Sequence, residues 1–86
     1  QMNVQFPCPA VPMQGGGISY RATVDGVMVA CQFTWEALQD VNPELTLDQP
    51  INQFNSSAER LLAIAEKKIR SGGIVNGVVL VSTSDL

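Results

Sequence analysis

The sequence contains no histidine, so its chemistry would have to come from two thiols, a few carboxylates and a small set of cations. The commonest general base and the commonest metal ligand are both missing. Ser-His-Asp and Cys-His arrangements are therefore excluded by composition. Cys8 and Cys31 lie too far apart for the short ligand spacings of zinc sites. They are also too few for the disulfide framework of a small secreted domain. Cys8 falls in an irregular arm and reads as an exposed free thiol with no base beside it. Cys31 falls in the inward-facing set of a strand and reads as an inert small hydrophobe. Glu36, Asp40 and Glu44 could be drawn as paired carboxylates, but solvated surface charge explains them as well. Gly15-Gly16-Gly17 is followed by a strand and by no Lys-Ser/Thr pair, so it reads as a linker and not as a phosphate loop.

The cations are unevenly placed. Residues 1–59 carry one basic and six acidic side chains, whereas residues 60–86 carry four basic and two acidic. Arg60, Lys67, Lys68 and Arg70 form a candidate anion patch, with Arg60 and Lys67 two helical turns apart on one face. Cations near a helix C-terminus are also what the helix dipole favours. The net charge of −3 weighs against a nucleic-acid binder, whose footprint is normally basic. The expectation is therefore no catalytic residue, no bound metal, no cofactor and no enzyme.

The elements that must position these groups can be read from turn chemistry and periodicity. The chain has 86 residues, enough for one domain. Residues 1–17 form an irregular Pro/Gly-rich arm, since Pro7, Pro9 and Pro12 forbid a regular ladder. Within it, Val4 and Phe6 alternate with polar residues and could make a short edge strand. Residues 18–86 are the single α+β domain. Ile18, Tyr20, Ala22 and Val24 alternate with polar residues, Asp25-Gly26 is a type I′ turn signal, and Val27, Val29, Cys31 and Phe33 alternate after it. A two-residue loop pairs Val24 with Val27 and Ile18 with Phe33, which gathers the apolar set on one face. Thr34 stands as the N-cap of a short helix carrying Trp35, Glu36 and Leu38, stopped by Asn42-Pro43.

A second helix is predicted from Asp48 or Pro50 to about Ser71, with Ile51, Phe54, Ala58, Leu61, Leu62, Ala65 and Ile69 on one face. Asn55-Ser56-Ser57 is a weak point where it bends or restarts, and Ser56 with Glu59 fits a capping box. Gly72-Gly73 ends it, Asn76-Gly77 marks a turn, and Val78–Thr83 is a final strand. The expected fold is α+β: a three- or four-stranded, largely antiparallel sheet with both helices on one face.

Several of these residues resemble a known family. The run Ile18-Ser19-Tyr20, Val24-Asp25-Gly26, then Val29-Ala30-Cys31-Gln32-Phe33-Thr34-Trp35-Glu36-Ala37-Leu38-Gln39-Asp40 resembles a small bacterial family known as domain of unknown function 1488. Phe54 opening a long helix, Ala65 and Ile69 late in it, and a final strand ending near Asp85 fit the same pattern. The resemblance spans residues 18–86 and implies a compact α+β domain in a bacterial cytoplasm. It brings no catalytic residues. The cysteine usage, and the lack of any apolar run long enough to span a membrane, agree with a cytoplasmic expectation.

The final strand carries the functional expectation. Val78, Val79, Leu80 and Val81 are apolar at four successive positions, a pattern of burial on both faces. Two helices can cover only one face of the sheet. Met28, Ala30, Arg21 and Thr23, with Val79 and Val81 from the final strand, are therefore the candidate interaction surface. Either the arm covers it with Val4, Phe6, Val11 and Met13, or a symmetric partner does, and a homodimer is the expectation. The protein is then a small non-catalytic protein acting by protein–protein contact, as a regulatory or accessory subunit. The runner-up is a nucleic-acid-associated regulator using Arg21, Arg60, Lys67, Lys68 and Arg70. An enzyme using a carboxylate or Cys31 comes last.

Overall fold

Asp25 and Gly26 take φ values of +52° and +84°, the backbone that a tight type I′ hairpin requires. In this computed structural model, which describes residues 3–7, 10–44 and 48–86, the hairpin is the centre of the fold. Strands β3 (Ile18–Val24) and β4 (Val27–Phe33) pair antiparallel in the expected register, from Val24 with Val27 to Ile18 with Phe33. The final strand β5 (Val78–Val81) lies parallel to β4, with Ala30 beside Val78 and Phe33 beside Val81. A crossover through three helices returns the chain in the same direction, which a parallel neighbour needs.

The arm supplies two short strands, β1 (Val4–Gln5) and β2 (Val11–Pro12), so the sheet has five strands where three or four were expected. Both pair antiparallel with β3, at its two ends: Val4 with Val24, and Val11 with Ser19. Pro7 helps to interrupt the edge between them, because a proline cannot donate to a ladder. The arm therefore runs along the edge of the sheet and does not lie over its face. Val4, Phe6 and Ala10 pack against the helix-side core, and Tyr20 holds Phe6 in an edge-to-face contact at 5.8 Å between ring centroids. The covering role considered for the arm is thereby ruled out for Val4 and Phe6. Its glycine turn is a folded loop: Met13 N–H donates to the Gly17 carbonyl at 2.8 Å. A side chain at Gly17 would sit 2.6 Å from the Phe33 carbonyl, so only glycine fits there. Cys8, Leu45 and Leu47 lie outside the described residues, and the readings placed on them go with them.

Helix α1 (Trp35–Asp40) begins where expected, with Thr34 Oγ1 accepting from Ala37 N–H at 3.1 Å. The second helix restarts at its weak point and is two helices, α2 (Pro50–Ser56) and α3 (Ala58–Arg70). The Ser56–Glu59 capping box does not form: Ser57 is the N-cap, and Ser56 Oγ instead donates to the Gln53 carbonyl at 2.7 Å. Phe54, Leu61, Ala65 and Ile69 enter the core with Leu38 from α1. All three helices pack on one face of the sheet, against Ile18, Ala22, Cys31, Phe33, Val79 and Val81. Gln53 is buried among them, its amide donating to the Leu38 carbonyl at 3.2 Å, which ties α2 to α1.

Candidate functional site

Strand alternation puts a second set of side chains on the face away from the helices. The register arranges them in rows. Val11, Ser19, Gln32 and Leu80 form one row, Arg21, Ala30 and Val78 the next, and Gln5, Thr23 and Met28 the third. Met28 is 54% exposed, Leu80 49% and Val11 57%, large exposures for apolar groups within a sheet. Ala30 and Val78 between them are half-buried. Arg21 is the charged member of the three rows. A cleft lined by Met13, Gln32, Trp35 and Leu80 continues the face at the first row.

Four of the expected surface residues, Arg21, Thr23, Met28 and Ala30, stand together on this face. Val79 and Val81 do not. Both are completely buried on the helix side, paired across from Cys31 and Phe33. The final strand instead presents Val78 and Leu80 to the open side. Four consecutive apolar residues carry no alternation, so the phase of β5 is fixed only by its parallel register with β4. Val11 joins the same face through its pairing with Ser19, which proline spacing alone could not place.

The basic patch is only partly assembled. Arg60, Lys67 and Lys68 line one groove beside Ser84, Asp85 and Leu86. Lys68 is committed within it, its ammonium 2.9 Å from an Asp85 carboxylate oxygen. Arg70 lies outside the groove and pairs with Glu66 at 3.0 Å. The Asp85 carboxyl is held below the usual carboxylate range, first by the Ser82 backbone N–H and then by Lys68. The remaining chemical candidates stay apart. Cys31 has no exposed surface, and burial pushes its thiol up to about 11, so the nucleophilic thiolate is disfavoured. Glu36, Asp40 and Glu44 are exposed. Among the described residues no group of three or more thiols and carboxylates is placed to hold a metal ion. No helix among them is long and apolar enough to cross a membrane.

A solved structure has a similar fold. A protein of unknown function of the domain of unknown function 1488 family, from Shewanella loihica, matches with a TM-score of 0.76. It covers 91% of this chain and 90% of its own, at 21% sequence identity. The fold is therefore that of the family whose motifs the sequence resembles. No family model matches the chain, and no curated protein matches it.

Proposed function

We propose that this chain is a non-catalytic contact protein that pairs with a second copy of itself through the open face of its sheet. One observation carries the reading: Met28, Ala30, Val78 and Leu80 form a connected apolar group on the face of the sheet turned away from the helices, with Met28 and Leu80 exposed among the described residues. Such patches mark contact sites more often than they stand idle. Ser19, Thr23, Gln5 and Gln32 around them give the polar rim typical of an interface. A cytoplasmic location belongs to the same proposal, since two cysteines are too few for the disulfide framework of a small secreted domain.

The size of the face sets the strength to expect. Strands about 4.8 Å apart and same-face rows about 7 Å apart give a footprint on the order of 400–500 Å² per copy. A pair then buries about 800–1,000 Å², at the low end of specific interfaces, so a micromolar dimer is expected and not a nanomolar one. Nucleic acid is the less favoured partner. Two of the four α3 cations are engaged by carboxylates, and among the described residues the three rows of the open face hold no aromatic ring on which bases could stack.

Light scattering after size exclusion at about 100 µM tests the proposal. The expected mass is nearly twice the 9.2 kDa of the chain, and Met28→Glu should return it to a single copy. A wild-type chain that elutes as one copy at that concentration would sink the reading. Tight low-salt binding of an oligonucleotide, abolished by Arg60→Ala with Lys67→Ala, would favour the runner-up.

A further inference from the structure

The outer edge of β5 is closed by the chain itself, one position at a time. Ala30 N–H donates to the Gly77 carbonyl and Thr34 N–H to the Val81 carbonyl, so the odd-numbered carbonyls of this segment turn toward β4. The backbone groups of 78, 80 and 82 must then turn outward. Each of the three positions meets a partner. Val78 exchanges both of its hydrogen bonds with Val75 across the Asn76-Gly77 turn, at 2.9 and 3.0 Å. The Leu80 carbonyl accepts from Lys68 Nζ, a side chain of α3. Ser82 N–H donates to Asp85 Oδ2 at 2.9 Å, and that same oxygen takes the Lys68 ion pair. The turn Thr83–Asp85 brings this carboxylate back to the strand, with Ser82 and Asp85 making a reciprocal capping box.

We infer that Lys68 and Asp85 are a latch over a strand-pairing edge, and that the strand it excludes is β5 of a second copy. Val78-Val79-Leu80-Val81 is uncharged, β-branched at three of four positions and free of proline and glycine, the composition that adds strands most readily. An antiparallel pair about a two-fold axis at Val81 would set the outward groups of Leu80 against those of Ser82 in the partner, which makes the edge self-complementary. A lysine at an edge is a known way of preventing such pairing. The latch matters because the edge and the open face are different surfaces. A chain with two distinct two-fold contacts builds assemblies larger than a dimer, so closing the edge limits any pairing at the face to two copies. This inference does not depend on the face reading, because the edge pairs or stays closed whichever way the face behaves.

The test removes the latch in a chain whose face is already disabled. Met28→Glu is the reference, and Lys68→Met with Asp85→Ala is added to it. Light scattering at about 100 µM should then show the mass double relative to Met28→Glu alone. Adding Leu80→Pro should return it to one copy, since proline removes the outward N–H and leaves the hydrogen bonds to β4 in place. Circular dichroism checks that helix content is retained; if the double change loses it, Lys68→Met alone makes the comparison. A mass that stays at one copy overturns the inference. So does a larger species that Leu80→Pro fails to reverse, because it would come from unfolded chain and not from the edge. The wild-type mass separately judges the face, so the two ideas can fail independently.

Discussion

Replacing Phe54 by alanine tests the packing that holds the open face in shape. The ring is 1% exposed and sits 5.3 Å from Phe33 and 5.6 Å from Tyr20, centroid to centroid. Tyr20 in turn meets Phe6, so four rings run from the arm through β3 and α2 to β4. Truncation removes two ring pairs, each worth about 0.5–1.5 kcal/mol beyond area burial. It also leaves a cavity, and buried Phe→Ala changes cost about 3–5 kcal/mol in all. A domain of 86 residues has about 4–13 kcal/mol of stability in total at the usual 0.05–0.15 per residue. Phe54→Ala should therefore leave the chain marginal. Phe54→Leu, which keeps much of the volume and loses only the rings, should cost about 1–2 kcal/mol. Urea melts followed by circular dichroism separate the two, provided the slope with denaturant is unchanged. A loss below 1 kcal/mol for the alanine variant, or equal losses for both, would refute the cavity argument.

Three further outcomes are expected. Gly26→Val should lower the melting temperature by several degrees, since a β-branched residue resists the +84° φ at that turn; an unchanged melt would mean the hairpin does not depend on its turn. Cys31 has a folded-state pKa raised from 9.0 to about 11, so the unfolded thiol ionises first as pH rises. Stability should fall by about 2 kcal/mol between pH 9 and 11, read as the difference between wild type and Cys31→Val. Asp85 moves the opposite way: its folded pKa lies below the ordinary 3.8, so its contribution is present above that pH and is lost as pH falls through the folded value. The melting-temperature gap between wild type and Asp85→Asn should narrow as pH falls below 3.8, and a gap that stays constant would assign the effect to shape and not to charge.

Much of this fold was legible because its elements are punctuated by residues with one physical use. Asp25-Gly26 demanded a hairpin and fixed its register, and that register chose Ile18, Ala22, Cys31 and Phe33 as the core set. Thr34 announced α1, and Asn55-Ser56-Ser57 marked the break between α2 and α3. What stayed hidden was set by contacts distant in sequence. Neither the parallel direction of β5 nor its phase can be read from Val-Val-Leu-Val, and the structure turns Val79 and Val81 to the helix side where the open face is expected. The arm's two strands were obscured for a related reason: two-residue pairings depend on the β3 edge being there to receive them.

The same misplaced pair sharpens the functional argument. If Val79 and Val81 were the outward residues, the final strand would offer two compact valines to the open face. With those valines buried, β5 offers Leu80 and Val78, and the more exposed leucine stands in one row with Val11 and beside the cleft at Trp35. Burying Val79 and Val81 against α3 is what stabilises the strand, so Leu80 is not needed outward for folding. A polar residue there would keep the strand and spare the solvent an apolar side chain. Leucine in a position that folding does not require, continuous with Met28 through Ala30 and Val78, is the residue choice of a surface that meets another protein. Leu80→Gln should accordingly leave the melting temperature within a degree or two while weakening self-association about as much as Met28→Glu. If it instead melts the chain, the leucine serves the fold and the face loses its strongest witness.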